Sequence, residues 1–318
     1  MKVLIYMPRL WADEWAELPV LFPDHDFAFA YEVTTAIAEI RDAEVLIVLG
    51  AAVEPDVLDA GTSLKWLQVA SAGIDSLAAL GADRYGHLLV TNARALLASH
   101  VAESAVALLT ALTRGIHYSA LRQAEHRWDN SYDYDEVAGK RALIIGVGGI
   151  GRAVASRYHA LEMEVRGADV VIGEPDDALQ SVHPVSDLLD LLPETDVLTL
   201  CCPYTPQTHH IVNQAVFDAL PDDAYLINVA RGPCVDTAAL IRTVRAGRLR
   251  GVGLDVVEQE PHPPESEVWD LPNVLMTPHM AGASPRRGER VVPFVTDNLR
   301  RYLRGEALNN VVDLVRGY

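Results

Sequence analysis

The stretch Arg141-Ala-Leu-Ile-Ile-Gly-Val-Gly-Gly-Ile-Gly151 restricts this chain more than any other. Its apolar run, Ala142 to Ile145, reads as a buried strand and breaks into Gly146, Gly148 and Gly151, which stand in G-x-G-x-x-G spacing. In such a turn the first glycine permits the tight bend, and the second lets backbone approach a pyrophosphate. The third lets helix and strand pack closely. Helical character follows from Ile150 to Ala160, where the free N–H groups and positive end of a new helix suit phosphate. A second strand, Glu164 to Ala168, leads to Asp169, eighteen residues beyond Gly151. A carboxylate there can accept hydrogen bonds from an adenosine ribose. Strand, glycine turn, helix and acid together predict a dinucleotide site.

At 318 residues the chain is long for one core, which favours two domains. No run approaches the ~20 apolar residues of a membrane span. Met1–Tyr6 reads as a first strand rather than a signal peptide. Cys201, Cys202 and Cys234 are too few and too badly spaced for a disulfide framework or a zinc cluster, so a cytoplasmic protein without a metal site is expected. The formal charge of −18 argues against nucleic acid or an anionic membrane as partner. Lys2, Lys65 and Lys140 are the only lysines. An acid excess with scarce lysine suits a halophilic protein in high salt, and a GC-rich genome produces the same bias.

Residues 1 to about 97 alternate helical stretches with strands at Lys2–Tyr6, Phe27–Tyr31, Val45–Leu49, Trp66–Val69 and Leu88–Thr91. That alternation implies a parallel sheet in an α/β layer. After Val69 comes Ala70-Ser-Ala-Gly-Ile-Asp75, a small-residue loop at a strand's C-terminal end, where open α/β sheets bind ligands. The backbone N–H groups of Ala72 and Gly73 could hold a carboxylate there, although the loop also reads as an ordinary βα turn. Ser99 is placed to cap a helix running to about Arg114, apolar nearly all round and so expected between domains or subunits. Beyond the glycine turn, strands are predicted at Val197–Leu200, Ala224–Val229, Gly251–Val256 and Val274–Met276. A last helix begins near Pro285 and ends near Gly305.

Hydride exchange at a carbon bearing oxygen needs an acid/base for the hydroxyl proton and a cation to polarise the carbonyl. Three predicted strand ends carry such groups. Asn228-Val-Ala-Arg231 offers a planar guanidinium that can hold a carboxylate. Asp255-Val-Val-Glu258-Gln-Glu260 offers carboxylates, and Thr277-Pro-His279 offers an imidazole that titrates near neutrality. A neighbouring carboxylate would favour the protonated imidazole needed to reduce a ketone. His209-His210 and Tyr132-Asp-Tyr-Asp135-Glu136 read instead as surface and as a solvated linker.

Taken in order, Gly146–Gly151, Asn228–Gly232, Leu254–Val256 with Glu260-Pro261, and Thr277–His279 resemble the D-isomer-specific 2-hydroxyacid dehydrogenase family. The resemblance also takes in Ala72-Gly73-Ile-Asp75 and Val101-Ala-Glu103 and so spans almost the whole chain. Short stretches (Tyr6-Met-Pro with Trp11 and Trp15, Leu220–Tyr225, and Arg316-Gly-Tyr318) are similar to its glyoxylate/hydroxypyruvate reductase A branch. The resemblance implies two Rossmann-like, doubly wound α/β domains with a deep interdomain cleft. Residues 1–97 with 286–318 would form the substrate domain and 98–285 the NAD-binding domain. His279 would be the acid/base, Glu260 its orienting partner, and Arg231 the ligand of the substrate carboxylate and carbonyl. Ala72 and Gly73 would also bind the carboxylate. Gly149 and Ile150 would face the pyrophosphate, Asp255 the nicotinamide amide, and Cys202 and Pro203 the adenosine. Val229, Ala230, Arg231, His279 and Gly282 would lie at the nicotinamide end. A homodimer built around the helix at Ser99–Arg114 is implied as well.

The branch usually carries small or basic residues where Asp169-Val170 stands, and prefers NADPH. A carboxylate here would repel a 2′-phosphate and no arginine follows to receive one, so NAD(H) is expected over NADP(H). Two other functions stay open: formate or phosphite oxidation on the same fold, and a non-catalytic, corepressor-like NAD(H) sensor. A formate enzyme would be expected to carry Gln in place of Glu260.

Overall fold

The computed structural model describes residues 1–50 and 53–316; Gly317 and Tyr318, part of the branch resemblance, lie outside them. The chain divides into two compact units, Met1–Leu97 with Ser284–Tyr318, and Ala98–Ala283.

The first unit is built on a five-stranded parallel sheet of β1 (Lys2–Tyr6), β2 (Asp26–Ala30), β3 (Val45–Val48), β4 (Trp66–Val69) and β5 (Leu89–Thr91), ordered β2-β1-β3-β4-β5. Side chains alternate between its faces. Leu4, Tyr6, Leu46, Val48, Leu67 and Val69 enter one core, and Val3, Ile5, Val45, Ile47 and Trp66 the other. Burial on both faces is why these strands read as unbroken apolar runs.

The second unit carries seven parallel strands: β6 (Arg141–Ile145), β7 (Glu164–Asp169), β8 (Ser181–Pro184), β9 (Val197–Leu200), β10 (Ala224–Asn228), β11 (Leu249–Leu254) and β12 (Val274–Met276). Their order is β12-β11-β10-β9-β6-β7-β8, so the chain reverses direction across the sheet between β6 and β9. Ligands bind at such a switch point, outside the carboxyl ends of the strands. Strand β8 escapes the sequence reading because Ser-Val-His-Pro offers no apolar run, as its edge position allows.

Four helices matter to the argument: α1 (Ala98–Thr113), α2 (Gly149–Ala160), α3 (Thr237–Arg245) and α4 (Arg287–Arg304). Helix α1 starts before Ser99, which therefore does not cap it; the Ser99 hydroxyl instead receives Arg157 Nη2 of α2 at 2.8 Å. Leu108, Leu109 and Leu112 of α1 enter the core with Ile144 and Ile227, while Glu103 and Ala107 stay exposed. Residues 132–136 leave Asp133, Tyr134 and Glu136 exposed, as expected of a solvated linker, but Tyr132 and Asp135 tie the stretch to the second unit. The Tyr132 hydroxyl donates to Leu112 O at 2.8 Å, Tyr225 donates to Asp135 at 3.0 Å, and Lys140 pairs with Asp135 at 2.9 Å. Cys201 and Cys202 enter opposite cores, as neighbours on a strand should, and all three cysteines are free. Burial pushes the Cys201 thiol up to about 12, which keeps it protonated.

Helix α4 belongs to the first unit and is joined to its sheet by buried polar groups. Trp66 Nε1 donates to Thr91 Oγ1 at 2.8 Å, Thr91 donates to Gln68 Oε1 at 2.8 Å, and Asn298 Nδ2 reaches Gln68 Oε1 at 3.3 Å. Asn298 Oδ1 also accepts Asn309 N at 2.8 Å. Asn298→Ala would take one partner from Gln68 Oε1 and leave Asn309 N without its acceptor, at a cost of about 2 kcal/mol. A clear fall in the urea midpoint of the first unit is expected, and an unchanged midpoint would contradict the assignment.

Candidate active site

At the end of β6, Gly146 takes φ +90°, and a Cβ there would fall 2.6 Å from the Cys202 backbone. A Cβ on Gly151 would come within 2.0 Å of Gly146 O, so α2 can start this close to the strand only without one. Gly148 has open space beside it, and α2 opens immediately after it. The glycine turn and Cys202, which follow β6 and β9, flank the switch point. The Asp169 carboxylate accepts Val147 N at 2.6 Å and Val171 N at 3.0 Å, one bond on each oxygen. Each oxygen keeps a lone pair for a ribose hydroxyl. The cradle thus fits a dinucleotide: an open backbone turn, a helix start and a fixed carboxylate.

Helix α2 contributes a basic residue, Arg152, to the stretch beyond Asp169. Arg152 Nη1 donates to Asp176 at 2.9 Å and Nη2 to Glu174 O at 3.3 Å, which places the guanidinium against the segment that follows Asp169. Periodicity could have raised it, since Arg152 directly follows the third glycine.

Strands β10, β11 and β12 are consecutive neighbours, so their carboxyl ends lie side by side within about 10 Å, two strand spacings. Arg231, Glu260 and His279 follow them in that order. His279 Nδ1 meets Glu260 Oε2 at 2.6 Å, and Glu260 Oε1 accepts Val257 N at 3.1 Å, which fixes the carboxylate. His279 has φ +50°, a left-handed conformation that costs about 1–2 kcal/mol in a side chain of this kind. Its N–H donates to Asp255 O at 2.8 Å.

The Asp255 side chain secures the rest of this turn. It is 2% exposed and accepts Thr277 Oγ1 at 2.7 Å, Met280 N at 2.9 Å and Ala281 N at 3.0 Å. His100 Nε2 lies 3.1 Å from Gly282 O, adding a tie from α1. The Arg231 loop has a comparable clamp. Buried Asn228 accepts Ala230 N at 3.0 Å and donates to Arg231 O at 3.1 Å. Neither Asn228 nor His100 was singled out from sequence. A polar residue closing the apolar strand Tyr225-Leu-Ile was the available signal, because buried amides must be paired.

Glu258, the other carboxylate after β11, is not the partner of His279. It accepts from His210 at 2.8 Å and from Thr237 N at 3.3 Å, and His210 stacks on His209 at 3.9 Å. Hydrogen bonds from Thr237 and His210 overcome the effect of burial and hold its carboxyl below the usual range. Ala72 and Gly73 lie in the first unit, on the loop after β4. Pro203, Val229, Ala230 and Gly282 all lie in segments that follow strands of the second sheet.

A dinucleotide cradle and a histidine–carboxylate pair on one parallel sheet define a nicotinamide-dependent oxidoreductase of the doubly wound α/β class. The family model described as D-isomer specific 2-hydroxyacid dehydrogenase, NAD binding domain, matches residues 106–281. Glyoxylate reductase from Thermofilum pendens is 32% identical over 279 residues, covering 85% of this chain and 81% of that protein. Glyoxylate/hydroxypyruvate reductase A HPR2 from Arabidopsis thaliana is 35% identical over 240 residues, 75% of each. Among solved structures, an NADPH-dependent glyoxylate/hydroxypyruvate reductase from Sinorhizobium meliloti, in complex with NADP and sulfate, superposes with a TM-score of 0.85 at 26% identity, covering 100% of this chain and 99% of that one. The chain belongs to the D-isomer-specific 2-hydroxyacid dehydrogenase family and is an oxidoreductase acting on CH–OH donors.

Asp255→Ala would release three donors at once, each costing about 1–3 kcal/mol if left unpaired. The melting temperature and turnover should fall together. Retention of both would show that the turn holds itself.

Proposed function

We propose that this protein is an NAD(H)-dependent reductase of small 2-oxoacids of the glyoxylate and hydroxypyruvate kind, forming D-2-hydroxyacids with His279 as acid/base. The observation that carries this reading is the 2.6 Å contact of His279 Nδ1 with Glu260 at the end of the strand trio that also bears Arg231. With Nδ1 engaged, Nε2 is the nitrogen that gives its proton to the substrate oxygen in reduction and takes it back in oxidation. Glu260 holds the ring in place through that contact. Arg231 binds the substrate carboxylate and polarises the carbonyl, with Ala72 and Gly73 donating backbone N–H groups to the carboxylate. The bound nicotinamide supplies or accepts the hydride.

Gly146, Gly148, Gly149, Ile150 and Gly151 would hold the pyrophosphate, Asp169 the adenosine ribose, and Cys202 with Pro203 the adenosine side. Val229, Ala230, Asp255 and Gly282 would line the nicotinamide end. The Asp169 carboxylate supports NAD(H), and the pairing of Arg152 with Asp176 supports it further by neutralising the nearby cation.

Homodimer formation is part of the same reading. A groove of about 320 Å³ lined by Glu103, Val106, Ala107, Arg157, Ala160 and Leu161 lies beside the uncovered side of α1. A cytoplasmic setting is supported by the three free cysteines. Among the described residues no helix is long and apolar enough to cross a membrane.

NADH oxidation should be observed with glyoxylate or hydroxypyruvate, and silence across a panel of 2-oxoacids would favour a cofactor sensor. His279→Ala should lower kcat about 10²–10⁴-fold, the usual contribution of a positioned acid/base, while NADH still binds. Arg231→Ala should chiefly raise KM. Near wild-type kcat in the histidine variant would overturn the mechanism. Comparable kcat/KM with NADH and NADPH would overturn the cofactor preference, and the Asp169→Ser variant should narrow any gap between them.

A further inference from the structure

A backbone loop can bind a carboxylate only if its carbonyl oxygens are kept off the anion, because each would repel it. In the loop after β4, four consecutive carbonyls are each claimed by a donor from within the first unit. Ala70 O accepts Arg287 Nη2 at 2.8 Å, and Ser71 O accepts Ala93 N at 2.9 Å. Ala72 O accepts Asn92 Nδ2 at 2.9 Å, and Gly73 O accepts the Ser71 hydroxyl at 3.3 Å. Gly50 packs against the same loop: its N–H donates to Ser71 Oγ at 3.1 Å, and a Cβ there would meet Gly73 O at 2.6 Å.

Two of these four donors are side chains buried for the purpose. Arg287, at the start of α4, is 4% exposed. Its Nη1 donates to Glu14 at 3.0 Å, and its guanidinium lies 5.0 Å from the ring centroid of Trp11. Burying an ion pair is a poor way to gain stability, since well-packed apolar side chains often do as well or better. A guanidinium does offer several donors in a fixed fork, so one group can tie the Glu14 carboxylate to the carbonyl of Ala70. Asn92 is 2% exposed, and its own Oδ1 accepts Arg94 N at 3.3 Å.

We infer that Arg287 and Asn92 are positioning residues for the substrate carboxylate: they hold the Ala70 and Ala72 carbonyls inward so that the loop presents N–H groups to the anion. This rests on the reading of Ala72 and Gly73 as carboxylate donors. Neither side chain touches the reacting atoms. Both act through the backbone they restrain, so their loss falls on substrate affinity and not on the chemical step.

The test uses the NADH-loaded protein with oxamate, an unreactive 2-oxoacid mimic, titrated by calorimetry, alongside steady-state kinetics with the best 2-oxoacid. Arg287→Lys keeps the charge but loses the fork, and Asn92→Asp keeps the volume but loses the donor. Each should weaken oxamate binding and raise KM at least tenfold, with kcat within threefold and the NADH dissociation constant within twofold of wild type. Folded variants whose oxamate affinity and KM stay within twofold of wild type would overturn the inference. So would failure of both conservative variants to fold, which would make the bracing purely structural, and so would absence of oxamate binding to the wild-type protein. Should the wild type bind oxamate yet reduce no 2-oxoacid, the proposed activity fails while the calorimetry still decides this inference.

Discussion

One buried carboxylate governs the carboxyl edge of the second sheet. Asp255 closes β11 and gathers Thr277, Met280 and Ala281 of the following turn, while its backbone oxygen holds the N–H of His279. Those bonds offset the cost of placing a histidine in left-handed backbone and leave its Nδ1 on Glu260. Since the Asp255 N–H in turn donates to Asn228 O, the clamp on the His279 turn is continuous with the one on the Arg231 loop. The imidazole and the guanidinium therefore depend on two adjacent strand ends and not on independent loops.

The rest of the architecture explains why chemistry is confined to such edges. Strands buried on both faces spend their side chains on two cores, so polar groups gather where the strands stop. In the second unit the turn after β6 and the end of β9 flank the switch point, and β10 to β12 are followed by Arg231, Glu260 and His279, the groups proposed for proton exchange. In the first unit the loop after β4 holds the corresponding position on its own sheet, with its carbonyls drawn inward.

Much of this was legible in the residues themselves. Unbroken apolar runs announced parallel strands, the glycine spacing announced the cradle, and Arg231, Glu260 and His279 stood out as polar groups just past predicted strands. What stayed hidden depends on partners far away along the chain. Ser99 reads as a cap until Arg157 is seen reaching it from α2. Tyr132–Glu136 reads only as linker because Tyr225 and Lys140, which hold Asp135, lie on or beside strands. Spacing alone does not separate Glu258 from Glu260; the resemblance points to Glu260, and the turn geometry sends Glu258 to His210. The bond from Arg287 to Ala70 spans 217 residues, and no local pattern encodes it.

The central claim is that this histidine–carboxylate pair serves a D-specific hydride transfer at C2 of a 2-oxoacid. The most direct measurement is chiral analysis of the glycerate formed from hydroxypyruvate and NADH by the wild-type protein. D-Glycerate alone, in one-to-one proportion to the NADH consumed, is the expected result. L-Glycerate, a racemate, or NADH consumed without glycerate would contradict the account.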